Sequence, residues 1–183
     1  VQERGSPPPL SGGGRRGDGA LRRLAVAVGA AALVVTADQV TKTWAVHRLT
    51  HGSIHVVWKL DLELAYNSGA SFGLAQGWAP ILAGSAVVVV VLMLAFVRKV
   101  HSPFLAAATG LVVGGALGNL SDRVFRSHHG AVVDFVALHF WPTFNVADSA
   151  IVVGAIWAAV LLWRSEPHDY PSPDSEPAKK PAS

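Results

Sequence analysis

The chain has 183 residues, enough for one domain or two small ones, with 51% hydrophobic residues and only 15% Asp, Glu, Lys and Arg. Ordinary soluble domains carry about 25% charged residues, so this composition excludes a chain disordered throughout and argues against a soluble enzyme. The formal net charge of +3 does not point to nucleic acid, because the basic residues flank apolar runs instead of forming a patch. The absence of cysteine excludes disulfide frameworks, thiolate nucleophiles and Cys-ligated metal sites, and leaves the redox compartment open.

Residues 1–20, with Pro7-Pro8-Pro9, Gly12-Gly13-Gly14 and several arginines, cannot bury enough apolar surface to offset their ordering entropy and are expected to form a disordered basic tail. Four apolar segments follow, at about residues 24–47, 79–97, 103–120 and 144–163. Each approaches the length of about 20 residues that a helix needs to cross a bilayer. The second lies in a stretch, residues 64–97, with no charged residue at all. The third opens on Pro103, which suits the first turn of a helix. From residue 165 the chain turns polar, with Pro167, Pro171, Pro173, Pro177 and Pro181, and a second disordered tail is expected over residues 165–183. Residues 21–164 are expected to form the membrane domain.

Placing the N-terminus inside puts Arg4, Arg15, Arg16, Arg22, Arg23, Arg98, Lys99, Arg164, Lys179 and Lys180 on the cytoplasmic side, ten of the 15 Lys and Arg. The positive-inside rule favours this orientation, with both termini cytoplasmic. A cleaved signal peptide competes for the first segment; three further spans favour a retained helix. The outer side then receives two connections, about residues 48–78 and 121–143. In the first, Leu60-Asp61-Leu62-Glu63-Leu64-Ala65-Tyr66 alternates apolar and acidic residues as a half-exposed strand does. The expected fold is an all-α membrane protein of four transmembrane helices with a small extracytoplasmic β element.

A carboxylate at membrane depth costs at least about 2.5 kcal/mol unless paired or solvated, so the position of each acid is informative. Asp38 lies 14 residues past the start of the first segment, with Lys42 four residues on, an i, i+4 arrangement that places opposite charges on one helical face. Asp122 is expected just after the third helix and Asp148 at the start of the fourth. With the third helix running outward and the fourth inward, both meet the outer membrane boundary and can converge. Two carboxylates sharing a site hold one proton between them, the state in which one takes a proton from water while the other polarises a carbonyl. Spacing alone equally allows an N-cap aspartate, a helix-end Asp-Arg pair and, for Asp38, a purely structural ion pair.

Asn67-Ser68-Gly69-Ala70-Ser71-Phe72-Gly73 is small and polar, a loop or a substrate clamp. Gly114-Gly115-Ala116-Leu117-Gly118 suits close helix packing and lacks the Lys-Ser/Thr of a phosphate loop. His47, His51, His55, His128 and His129 fall on the outer side in no metal-binding pattern, so no metal or cofactor is expected.

Taken together, these blocks resemble the lipoprotein signal peptidases, or signal peptidase II. The resemblance covers about residues 21–164: Asp38-Gln39 with Lys42; the Asn67–Gly73 block; Gly114 through Asn119-Leu120-Ser121-Asp122-Arg123; Val133-Asp134-Phe135; and Phe144-Asn145-Val146-Ala147-Asp148. Each block is weak alone; together, in order and at helix ends, they are specific. The resemblance implies a membrane aspartyl endopeptidase that cleaves diacylglyceryl-modified prolipoproteins immediately before the lipidated cysteine, without a cofactor. It implies Asp122 and Asp148 as the catalytic pair, Asn119 and Asn145 as positioning residues, and Asp38, Lys42, Asn67, Gly69, Arg123 and Ala147 as binding or supporting residues. Ser71 departs from the family's more frequent alanine. The strand-rich element near residues 53–72 would be the family's β cradle. The implied setting is the bacterial cytoplasmic membrane with the site on the extracytoplasmic face, and the implied partners are the prolipoprotein substrate and membrane lipid, with no nucleic acid. A monomer is expected.

Two other classes remain open on the residues alone. A small transporter or ion channel would line its path with Asp38, Asp122 and Asp148 but would place them nearer the bilayer centre. A non-catalytic membrane scaffold would use the acids as caps, leaving the Asn-x-x-Asp and Asn-x-Ala-Asp pattern without a purpose.

Overall fold

The computed structural model describes residues 14–68, 79–97, 99–100, 102–126 and 130–165. It has four helices, α1 (Gly14–Leu49), α2 (Ala79–Val97), α3 (Pro103–Phe125) and α4 (Val146–Ser165). Strands β1 (Ile54–Val57) and β2 (Leu60–Asn67) lie between α1 and α2, and β3 (Val132–Leu138) and β4 (Trp141–Phe144) between α3 and α4. Within the described residues, the segment Asp18–Leu49, α3 and α4 are long and apolar enough to cross a membrane.

Local chemistry sets the helix ends. The α3 N-cap is Ser102, whose Oγ accepts from the Leu105 amide at 3.4 Å, with Pro103 in the first turn. The helix continues five residues beyond its expected end at 120, because Ser121-Asp122-Arg123-Val124-Phe125 contains neither Gly nor Pro. Asp122 therefore sits in the last turn of α3 and not after it. α1 starts at Gly14, ten residues ahead of its apolar run, since Ala20, Leu21, Arg22 and Arg23 are good helix formers whatever their hydropathy. Residues 14–20 of the expected tail are thus helical; residues 1–13 and 166–183, and with them most of both expected tails, lie outside the described residues. α4 starts at Val146 because Phe144 ends β4 and Asn145 caps the helix.

The strands form one antiparallel sheet in the order β1-β2-β3-β4. The first connection supplies β1 and β2, and its alternating segment is β2. No strand is expected from sequence in the second connection, yet it supplies the other two. β3 is apolar at every position except Asp134 and buried along most of its length, so it lacks the period-2 alternation of a half-exposed strand. At the sheet's far end Asp61 accepts from His55 Nδ1 at 2.6 Å and His139 Nε2 at 2.8 Å, joining β1, β2 and the β3–β4 turn. These contacts, His139's first, draw the Asp61 carboxyl below the usual carboxylate range.

Small residues let α3 sit between α1 and α4. A Cβ on Gly114 would lie 2.7 Å from the Ala31 carbonyl oxygen of α1, and one on Gly115 would lie 2.4 Å from the Ala147 carbonyl oxygen of α4. On the same face a Cβ on Gly118 would come within 2.6 Å of Asp38 Oδ2. Backbone cannot yield as a flexible side chain can, so Gly115→Ala should destabilise the protein by about 1–3 kcal/mol. Gly84→Ala in α2, where nothing lies within 4 Å, should stabilise by up to about 1 kcal/mol. Thermal unfolding of the two variants side by side checks both signs. Beyond the helix contacts, Ala45 and Leu49 of α1 pack on Phe135 of β3, with Leu62, Leu64 and Val146 around them. This cluster fixes the sheet over the ends of α1, α3 and α4.

Candidate active site

Where those three helix ends meet the sheet, the protein buries an unusual number of polar groups: Asp38, Lys42, Asp122, Asp134 and Asn145 are each at most 1% exposed. α1 contributes Asp38, Gln39 and Lys42. The Lys42 ammonium lies 2.8 Å from Asp38 Oδ2 and 3.0 Å from Asp122 Oδ2, and donates to Asn119 Oδ1 at 2.9 Å. An ammonium has three protons, and these three partners take all of them.

α3 contributes Asn119, Asp122 and Arg123, spaced so that their side chains turn toward α1 and α4. Asp122 Oδ1 accepts from Gln39 Nε2 at 3.0 Å and from Arg126 Nε at 2.9 Å. Its Oδ2 accepts from the Val133 amide at 3.0 Å and faces Lys42. A carboxylate offers about four acceptor sites; here two cations, an amide side chain and a backbone N–H fill them. Arg123 donates through Nη1 to the Asn119 carbonyl at 3.3 Å, while its buried Nε has no hydrogen-bond partner among the described residues. The charges of Asp148, Asp134 and Asp122 all act on this guanidinium.

α4 opens with a reciprocal cap. Asn145 Oδ1 accepts from the Asp148 amide at 3.0 Å, and Asp148 Oδ2 accepts from the Asn145 amide at 3.2 Å, which satisfies two backbone donors at once. A third, the Ala147 amide, donates to Asp38 Oδ1 at 3.0 Å. The N-cap is thus Asn145, not Asp148. Asp148 Oδ1 also accepts from Asn119 Nδ2 at 2.8 Å. Asp148 is the half-buried member of the group and lines a groove of about 420 Å³ whose walls include Leu138, Phe140, Trp141, Phe144 and Val152.

The other end of the same Asn145 amide reaches the sheet, where its Nδ2 donates to Asp134 Oδ1 at 2.6 Å. Asn67 Nδ2 donates to Asp134 Oδ2 at 3.0 Å. One asparagine therefore holds Asp134 through its amide group and Asp148 through its backbone. Burial on β3 is the main cause that pushes the Asp134 carboxyl up to about 6; the Asp148 charge raises it further, and the asparagine hydrogen bonds only partly oppose this.

The structure gathers Asp38, Lys42, Asn67, Asn119, Asp122, Arg123, Asn145, Ala147 and Asp148 into this one region. Gly69, with Ser71, lies outside the described residues. Asp122 and Asp148 are not in direct contact. Asn119 stands between them, its Oδ1 bound to Lys42 and its Nδ2 to Asp148. Asp134, Gln39 and Arg126 take parts that residue spacing does not reveal. For Asp134 a signal was present: an acid alone in an apolar run must be paired, hydrogen-bonded or neutralised once it is buried.

A consequence for stability follows from Asp134. Its ordinary pKa of 3.8 is raised to about 6 in the folded chain, so between those values the folded state binds more protons than the unfolded one. Stability must then fall as pH rises from about 4 to 6. The contribution is on the order of 3 kcal/mol, and Asp134→Asn should flatten that slope in thermal melts. An unchanged slope would show that Asp134 titrates normally.

Among solved structures, the chain is similar to a bacterial membrane enzyme determined by the in meso method, with a TM-score of 0.69 at 29% identity, covering 76% of this chain and 94% of that one. A second bacterial membrane enzyme structure superposes with a TM-score of 0.66 at 28% identity, covering 84% and 94%. The helical bundle with its clustered acids is thus the fold of a multi-pass membrane enzyme. The model of the family Signal peptidase (SPase) II matches residues 30–164. Similar curated proteins include the lipoprotein signal peptidase of Rhodococcus jostii (strain RHA1), 45% identical over 138 residues, which are 72% of this chain and 69% of that protein. The lipoprotein signal peptidase of Mycobacterium leprae (strain Br4923) is 42% identical over 145 residues, 76% of this chain and 72% of the other. The chain belongs to the signal peptidase II family, whose members are aspartic-type membrane peptidases. A transporter or channel is not favoured.

Proposed function

We propose that the chain removes signal peptides from diacylglyceryl-modified prolipoproteins immediately before the lipidated cysteine, using Asp134 and Asp148 as its carboxylate pair. Membership of the family makes it a membrane aspartyl endopeptidase acting on prolipoproteins. The observation that supports this pairing is Asn145, which binds Asp134 and Asp148 together and leaves Asp148 facing the groove. Asp122, the partner expected from the sequence, has its acceptor sites filled by Lys42, Arg126, Gln39 and the Val133 amide, leaving no lone pair to receive a water proton. In this reading Asp122 and Asp38 are the anions that hold Lys42 and the helix ends in place.

Different environments give the two acids different tasks. Asp148, half-buried, accepts the proton of a water that attacks the scissile carbonyl. Asp134, whose carboxyl is pushed up to about 6, carries the shared proton and donates it to the carbonyl oxygen as the tetrahedral intermediate forms. Collapse of the intermediate returns a proton to the leaving amine. No acyl-enzyme is formed.

Four crossings, with both termini cytoplasmic and the sheet outside, are supported by the ten inward Lys and Arg and by α2, whose 19 uncharged residues extend about 28 Å. The site then lies at the extracytoplasmic boundary of the cytoplasmic membrane, where water enters and the substrate's acyl chains stay in lipid. The groove beside Asp148, walled by apolar residues, suits that lipidated segment. The protein acts as a monomer. Incubating the purified chain with diacylglyceryl-modified and unmodified prolipoprotein tests the substrate: only the modified form should be cleaved, and equal cleavage of both would refute the lipid requirement. Sensitivity to the cyclic peptide globomycin, a property of the family that the resemblance implies, is a further check.

A further inference from the structure

The ends of α1, α2 and α3 that lie away from the carboxylates frame a groove with no part in the proposed chemistry. Apolar cavities of about 280 and 430 Å³ share Leu24, Leu94 and Val97, and so form one continuous groove. Ala27, Ala31 and Gly110, where α1 and α3 come close, line its inner side. From Arg23 to Thr36 it follows 13 residues of α1, or about 20 Å. That exceeds the roughly 15 Å half-thickness of a hydrocarbon core, so a whole acyl chain of one leaflet fits.

The mouth has a charge that the rest of the groove lacks. Among the described residues, Arg23 is the only charged one in the lining, is half-buried, and makes no ion pair. Lys99 stands two residues beyond Val97, the last α2 residue of the lining. A cation at the headgroup level above an apolar channel is complementary to an anionic phospholipid, with each such Lys or Arg contributing about 1 kcal/mol near the surface. A guanidinium also matches a phosphate better than it matches a neutral partner.

We propose that this groove binds an anionic phospholipid, one acyl chain lying between α1, α2 and α3 and the phosphate resting on Arg23. The lipid then fills the space between α2 and the α1–α3 pair, its headgroup at the end of the molecule opposite the carboxylates. The site is independent of which acids carry out hydrolysis.

Native mass spectrometry of the delipidated full chain in detergent, titrated with phosphatidylglycerol and with phosphatidylcholine of the same acyl chains, tests the proposal. One phosphatidylglycerol should bind saturably, about tenfold tighter than phosphatidylcholine. Arg23→Gln should weaken phosphatidylglycerol by about fivefold and leave phosphatidylcholine unchanged, whereas Arg23→Lys should retain most of the preference. Ala32→Phe, which adds volume from the α1 wall of the groove, should weaken both lipids. Equal affinity for the two lipids, or phosphatidylglycerol binding indifferent to Arg23→Gln and Ala32→Phe, overturns the proposal. If Ala32→Phe instead raises KM for prolipoprotein while phosphatidylglycerol binding is unchanged, the groove holds the substrate's signal helix and the proposal fails. The thermal midpoint of each variant, unchanged within error, confirms that the fold is intact.

Discussion

Replacing Asp134 with asparagine should lower turnover by about 10²–10⁴-fold, the range typical of losing a positioned general acid or base, while the protein remains folded. Asn is nearly isosteric with Asp and still offers an acceptor to Asn67 and Asn145, so the hydrogen bonds to β3 survive in part. What disappears is the proton that an acid with a pKa near 6 holds for transfer. Asp148→Asn should be as damaging, because it removes the group that takes the proton from water. The double variant should be little worse than either single one, since residues that act as a unit are not additive. Cleavage of lipidated prolipoprotein, with substrate affinity measured separately, checks this: the loss should fall on kcat and spare KM. An Asp134→Asn protein with wild-type turnover would sink the pairing and return Asp122 as Asp148's partner.

The second large effect concerns stability. Lys42→Met leaves a side chain of similar length but strips the cation from between Asp38 and Asp122, both 0% exposed. Removing one partner of a buried ionic group costs about 3–5 kcal/mol, because the other charges stay buried and uncompensated. For a chain of this size that corresponds to a drop on the order of 10 °C in thermal midpoint. Arg126 still holds Asp122 Oδ1, so Asp38 should suffer most, and with it the Ala147 amide that starts α4. Adding Asp38→Asn to Lys42→Met should recover part of the loss by removing the orphaned charge. If Lys42→Met melts like the wild type, the network does not secure the helix ends. Activity alone would not separate the two roles; the melting midpoint does.

The resemblance placed the right segments in the site and named Asp122 and Asp148 as the pair, where the proposal above takes Asp134 in place of Asp122. Asp122 and Asp148 both belong at helix ends, and a topology of one helix running out and the next running in makes their convergence a reasonable expectation. Two details invisible in spacing favour the proposed pairing with Asp134 instead. α3 runs on to Phe125, which rotates Asp122 toward α1, where Lys42 and Gln39 wait. The second connection folds into β3, whose Val133 amide binds Asp122 and whose next residue carries an acid to the other side of the strand, beside Asn145. A strand buried on both faces has no alternation to announce it, so its acid was legible only as part of a motif.

What the sequence by itself determined is the part governed by local chemistry. The apolar residues of α2 mark its span, Ser102-Pro103 marks the start of α3, and the small residues from Gly114 to Gly118 mark a close helix contact. The alternation of residues 60–66 marks β2. Only the tertiary structure decided which acid meets which base. Pairing of buried charges depends on side-chain direction over the last turn of a helix and on a strand that crosses from the next connection, and both are set by long-range packing. That is why Lys42 emerges bound to Asp38, Asp122 and Asn119 together, and why Asn145 links Asp148 to Asp134 across 14 residues of chain.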